Sequence, residues 1–355
     1  MKIKEFYPSN FSELEPYWKK IENGKDMTGF QLYDWYRNVN TLFFREKTKK
    51  LFRKWIYFLV TDDNDNPIMI APIQIVKVGF HIGRHGIRRG AYFIGREGYS
   101  DYMNFIYNDF DTDAVEYVIQ YLHSKYNCEY FRFEQVMESS ELHKFMLSKY
   151  NARKIPLSCA SLVLPDTFEE YHQSLSKSMR QNIRTAINRA NKNNITLTHE
   201  IIFDLDDETR KELMLMREKR LGDKIKKSKK KASFLGRIYN DCGMIVKKLF
   251  NEKQDIMKEA CNQWCFCVKD GERIIGYYWG IKNEYKKEYY VILAGVDRDY
   301  EWYSPCISHL YLFLKEYYEA GRNDIAAFDF TRGGEKYKHD IGCSDRLTSG
   351  LEFRI

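Results

Sequence analysis

Two stretches of this 355-residue chain carry the same order of elements, and that repetition limits the fold more than any other feature. In the first, Trp55–Thr61 and Pro67–Val78 read as a hairpin around the polar turn Asp62-Asp63-Asn64-Asp65-Asn66. Strands near Arg89–Ile94 and Asp101–Ile106 follow. Asp111–Tyr126 has helical spacing through Val115, Val118, Ile119 and Leu122, then Glu129–Glu134 is a strand and Ser139–Lys149 a helix. In the second, Trp264–Lys269 and Arg273–Lys282 form a hairpin around Asp270-Gly271. Glu288–Val296 is a strand, Pro305–Ala320 a helix ended by Gly321, and Ile325–Phe330 a strand. Tyr130-Phe131-Arg132-Phe133 and Ala327-Phe328-Asp329-Phe330 occupy equivalent places. A tandem duplication of one α/β unit with mixed sheets accounts for this order, with the halves at 1–155 and 156–355.

The opening segment is helical over 11–23 and 31–53. Between the halves, Asp166 with Glu169 fits a helix cap with a capping-box partner, leading into a helical region over 166–194. Leu175, Met179, Ile183, Ala186 and Ala190 make its apolar stripe, while Lys177, Arg180, Arg184 and Asn188 share another face. A further helix, Glu208–Leu221, runs into a lysine-rich loop at 223–232.

Charge excludes some functions. The net charge is +7, and the loop alone supplies Lys224, Lys226, Lys227, Lys229, Lys230 and Lys231. Without that run the chain is close to neutral, so composition does not mark a nucleic-acid-binding protein, and the run reads as a solvated loop. No stretch reaches the ~18 apolar residues of a membrane span. The start, MKIKEFYPSNF, lacks the apolar core of a secretion signal, so a cytoplasmic protein is expected. Eight cysteines with no Cys-x-x-Cys pair read as buried free thiols, with no metal site, although Cys261, Cys265 and Cys267 cluster.

The most informative text is Ser304-Pro305-Cys306 opening a helix, followed by Phe328-Asp329-Phe330-Thr331-Arg332-Gly333-Gly334-Glu335-Lys336-Tyr337-Lys338. It resembles the GNAT superfamily of N-acyltransferases. More narrowly, it is similar to the double-GNAT family associated with cellulose and exopolysaccharide biosynthesis (CelD/BcsL-like). The segment Ser178–Arg184 and the run Phe30-Gln31 through Trp35 resemble further signatures of that family. Cys306 stands where the family has Gly, and neither half carries the Gln/Arg-x-x-Gly-x-Gly/Ala pyrophosphate loop of ordinary GNAT acetyltransferases. The Fem-type peptidyltransferases, which use aminoacyl-tRNA, share the architecture and a comparable ending.

The resemblance implies tandem GNAT-like domains, an acetyl-CoA or other acyl-CoA donor, and a small amine acceptor such as an amino-sugar or nucleotide-sugar. The alternatives are a Fem-like transferase with tRNA held by the lysine run, and a non-catalytic binding module. In the acyltransferase reading the amine attacks the acyl carbonyl directly, so the protein must position both partners, take a proton and stabilise the oxyanion. Val296, Arg298, Ser304, Pro305 and Cys306 would hold the donor, because a helix N-terminus offers backbone N–H groups to a pyrophosphate. An ordinary helix start with Pro at its first position is the plain alternative. Lys338 would meet the oxyanion or a donor phosphate, or else pair on the surface with Glu335. Asp329, Glu335 and His339 are the candidate bases; Asp329 alternates with Phe328 and Phe330 and so faces away from them. Arg180 and Arg184 could clamp an acceptor anion beside Tyr337, or form a solvated basic face.

Overall fold

A computed structural model describes residues 1–45, 53–78, 88–95, 100–203, 205–231, 257, 260 and 262–355. The chain divides into two compact units, Met1–Cys159 with Asp345–Ile355, and Ala160–Ser344. The boundary read at 155/156 falls within one strand, and the C-terminal strand belongs to the first unit.

Unit 1 begins with β1 (Lys2–Phe6), a 3-10 turn, α1 (Glu15–Ile21) and α2 (Tyr33–Arg45). The hairpin follows as β2 (Arg53–Thr61) and β3 (Pro67–Val78), then β4 (Arg88–Phe93), α3 (Thr112–Tyr126), β5 (Cys128–Met137) and α4 (Glu141–Tyr150). With the last strand, β12 (Ser344–Arg354), the sheet order is β1-β2-β3-β4-β5-β12. All its ladders with a described register are antiparallel except β4 with β5, which α3 must bridge because parallel neighbours need a crossover. Asp111 caps α3 by accepting the N–H of Ala114, and Asn127 ends it in the left-handed conformation.

Unit 2 repeats that plan. It takes the end of β6 (Arg153–Val163), α5 (Phe168–Ser174), α6 (Lys177–Lys192), β7 (Leu197–Phe203) and α7 (Asp207–Lys231). Next come β8 (Gln263–Asp270), β9 (Arg273–Asn283), β10 (Glu288–Val296), α8 (Pro305–Glu319), β11 (Ala327–Arg332) and α9 (Lys336–Asp340). The strands lie in the order β6-β11-β10-β9-β8-β7, and the crossover helix α8 joins the parallel pair β10 and β11. One face of β8, Trp264, Phe266 and Val268, packs with Phe328, Phe330, Leu310 and Leu314, and α6 closes this core with Met179 and Ile183. Burying such large apolar side chains is worth roughly 1.5–3 kcal/mol each.

Several expectations are corrected. The helix after residue 166 is capped by Thr167, not Asp166: the Thr167 hydroxyl accepts the N–H of Glu170. Leu175 and Ser176 then break the helical region into α5 and α6, since Ser176 is extended and caps α6 instead. Asp101–Ile106 forms no strand; Ile106 makes a single bridge to Ile70, and Tyr102 has a left-handed φ of 51°. Residues 223–231 of the lysine run lie in α7 rather than a loop, since lysine is a good helix former; residue 232 is outside the described residues. The described cysteines, Cys128, Cys159, Cys265, Cys267, Cys306 and Cys343, are free and buried; Cys242 and Cys261 lie outside the described residues.

Candidate active site

The two parallel strands of unit 2 part company early. β10 and β11 are paired from Glu288↔Ala327 to Tyr290↔Asp329, after which β10 continues to Val296 on β9 alone. A bulge in β10 between Val291 and Leu293 marks the separation. On β11 the turning point is Thr331, whose φ of 55° is unusual for a β-branched residue. Two bonds hold it there. The Thr331 hydroxyl donates to the Val291 carbonyl at 3.0 Å, and the Thr331 N–H donates to Oδ1 of Asp329 at 2.8 Å.

Asp329 does lie opposite Phe328 and Phe330 in the alternation, but it is 0% exposed and not a surface carboxylate. It serves the backbone of the turn. Lys338, on α9, is 3% exposed. Its ammonium donates to the carbonyls of Phe330 at 3.0 Å, Arg332 at 2.9 Å and Gly333 at 3.1 Å, with Thr331 O at 3.4 Å. Glu335 Oε2 lies 2.9 Å away, the i−3 pairing foreseen for a surface lysine. An ammonium has three protons, and five acceptors surround this one. Burial pushes the neighbouring Cys343 thiol up to about 12; the Asp329 charge acts in the same direction and Lys338 against it, which sets both groups close to this thiol.

A cleft of about 240 Å³ opens at the start of α8. Ser304, the residue before α8, lines it with Ile307 and Ser308 of α8, Tyr337 and Asp340 of α9, and Asn182, Thr185 and Arg189 of α6. Ser304 sits in the left-handed region with φ 42° and makes no side-chain cap, so Pro305 opens the helix as its first residue. Trp302 is 73% exposed at the rim. The guanidinium of Arg189 stands 5.0 Å from its ring and donates to its carbonyl at 2.7 Å. Asn193 donates to the Tyr303 hydroxyl at 2.7 Å.

The structure therefore brings together Ser304 and Tyr337, and sorts the other expected residues differently. Cys306 is buried with its thiol 3.6 Å from the Gly295 carbonyl, and Pro305 is buried. Val296 is half-buried, while Arg298, Glu335 and His339 are exposed. Arg180 donates to the carbonyls of His172, Gln173 and Leu175, closing the end of α5, and Arg184 is exposed. The face of α6 that lines the cleft is Asn182, Thr185 and Arg189. Sequence reading missed it because the charged pair Arg180 and Arg184 drew attention from a polar row at the same i, i+3, i+7 spacing. Among the described residues no group of three or more His, Cys, Asp or Glu could hold a metal.

Residues 177–339 match the family model of the acetyltransferase (GNAT) domain. The match falls within unit 2. Of the cleft residues named here, all but Asp340 fall within the matched range. A comparison with curated proteins finds no match. Among solved structures, a conserved protein of unknown function from Bacteroides thetaiotaomicron is similar at a TM-score of 0.50 and 13% identity, over 100% of both chains. That likeness is one of fold alone. FemX aligns at 0.48 and 13%, covering 100% of this chain and 98% of its own. A tandem GNAT protein from the clavulanic acid biosynthesis pathway aligns at 0.46 and 7%, covering 99% and 98%. No helix among the described residues is long and apolar enough to cross a membrane.

Proposed function

We propose that the protein is an N-acyltransferase of the tandem GNAT kind, with its site in the cleft of unit 2. The observation that carries this reading is the position of the cleft. It lies at the start of the crossover helix α8, between α6 and α9, and all of its lining but Asp340 falls within the GNAT match. The donor is an acyl-CoA, and the acceptor a small amine such as an amino-sugar or nucleotide-sugar, with polysaccharide biosynthesis as the setting. The amine nitrogen bonds to the acyl carbon, the carbon–sulfur bond breaks, and the proton lost by nitrogen is balanced by the one the thiol gains. Tyr337 and Asp340 are the ionisable groups of α9 that line the cleft and so can handle that proton. Lys338 and Asp329 act one step back, holding the turn 330–333 that leads into α9.

A second reading has its own support. Asp297, Asp299 and Glu301 crowd the segment before α8, with Arg298 among them and Arg273 paired to Asp297. Carboxylates are a poor seat for a pyrophosphate but suit the ammonium of an aminoacyl ester. The lysine run of α7, being helical, could hold the phosphates of a tRNA.

One panel separates the two. Acetyl-CoA, longer acyl-CoAs and charged tRNA are each added at about a hundred times an estimated Kd, where a bound donor adds ~2.7 kcal/mol of stability. Amino-sugar acylation is then followed with whichever donor binds. Stabilisation by an acyl-CoA with product formation supports the first reading, and stabilisation by charged tRNA alone supports the second.

A further inference from the structure

Unit 1 holds a larger cleft of about 600 Å³, within the size range of small-molecule sites, and nothing in the acyltransferase reading uses it. It lies where β2 begins, β3 ends and β4 begins, at the end of the β4–β5 pair away from the point where those strands part. Its chemistry is basic and aromatic. Lys54, Lys77 and Arg89 line it, with Tyr7, Tyr126 and Trp55 among its rings, and no acidic residue is in its lining.

Arg53 is a fourth cation of the lining, and the strand register puts the other three in a row. Lys54 is opposite Ile75, two residues before Lys77, and Lys77 is directly opposite Arg89. All three thus project from one face of three neighbouring strands. Directly opposed residues are about 5 Å apart and diagonal ones about 7 Å, and like charges so placed destabilise a sheet. Among the described residues no carboxylate relieves them. Lys54 has only the hydroxyl of Tyr126 at 3.5 Å and the rings of Tyr7 and Tyr126 at 5.2 and 4.8 Å. Arg89 donates to the Tyr126 carbonyl at 3.1 Å. The nearby carboxylate, Glu5, is taken by Lys125 and by the hydroxyls of Tyr7, Tyr121 and Tyr126.

A row of like charges that no described carboxylate compensates suits an anion of matching length, and the aromatic wall suits a flat or apolar partner. We propose that this cleft binds an organic diphosphate carrying a ring, of the nucleoside diphosphate class. The diphosphate lies along Lys54, Lys77 and Arg89, with the guanidinium able to grip it bidentately. The ring packs on the aromatic side. This inference does not rest on the acyltransferase reading, which concerns unit 2 alone.

Isothermal titration of the full chain with ADP, inorganic pyrophosphate and adenosine tests it. ADP should bind, pyrophosphate at least tenfold more weakly, and adenosine without measurable heat. Lys77→Gln and Lys54→Gln, both at exposed positions, should each weaken ADP about tenfold without lowering the melting temperature. No ADP binding at millimolar concentration would overturn the proposal. Equal affinity for pyrophosphate would overturn the ring, and ADP affinity unchanged in both variants would show that the nucleotide binds elsewhere. Acyl transfer measured on the same variants reports on unit 2 separately, so the two readings can fail independently.

Discussion

The ammonium of Lys338 lies 2.9 Å from the carbonyl oxygen of Arg332, and that bond with its neighbours closes the turn between β11 and α9. A lysine standing on a Gly-Gly turn at the end of a strand invites assignment as an oxyanion donor. Its protons instead go to the backbone of residues 330–333 and to Glu335. Lys338 is a positioning residue in this account.

Lys338→Ala should therefore cost stability as well as turnover. Removing the ammonium strands several carbonyls, and leaving a buried polar group unpaired costs about 1–3 kcal/mol. Thermal melting beside steady-state kinetics checks it: a lowered melting temperature is expected. A variant of wild-type stability with no activity would return Lys338 to direct chemistry.

The same turn depends on Gly333. Its φ is 113°, and a Cβ there would stand 2.4 Å from Oε2 of Glu335. Gly333→Ala should destabilise by about 1–3 kcal/mol through backbone strain. Glu335→Ala in the same chain removes the clash and leaves the strain, so the double variant should recover only part of the loss in a denaturant titration.

Much of this site was legible in the sequence. Glu288–Val296 and the hairpin from 264 to 282 follow from alternation and a Gly turn, and the α8 crossover follows from its apolar spacing. β1, β6, β7 and β12 were not read, because only one flank of each carries strong alternation and their exposed residues look like loop. The Lys338–Glu335 pairing could be seen in the i−3 spacing. The burial of Asp329 could not, since it depends on Thr331 adopting a left-handed φ, a conformation that sequence propensity disfavours for threonine. Likewise Arg180 and Arg184 look alike in sequence, and only the break at Leu175 gives Arg180 three carbonyls to hold.

That difference is measurable. Arg180→Ala should lower stability by about 1 kcal/mol, because it opens the end of α5, whereas Arg184→Ala should stay within 0.5 kcal/mol of wild type. Chemical denaturation of both variants gives the comparison. Equal losses would contradict the assignment.

A pair of histidines gives unit 2 a pH dependence. His309 on α8 and His199 on β7 meet through Nδ1 atoms 3.1 Å apart, and Glu316 lies 3.2 Å from Nε2 of His199. Burial, then the His199 charge, depresses His309 from its ordinary 6.5 to about 4. Burial also lowers His199, with Glu316 opposing. The unfolded chain thus takes up protons that the folded chain refuses. Stability should be full above pH 6.5, fall between 6.5 and 4, and level off below, the His309 share being at most about 3 kcal/mol. Melting temperature against pH should flatten over that window in His309→Asn relative to wild type.

The most direct test of the central claim is acyl transfer by the cleft variant Trp302→Ala together with Asn182→Ala. Both residues are exposed, so neither change should move the melting temperature. With the donor that stabilises the wild-type protein, kcat/KM should fall at least tenfold in the pair, while the distant surface variant Lys315→Ala keeps wild-type rates. Unchanged kcat/KM in the pair would contradict the placement of the active site in this cleft.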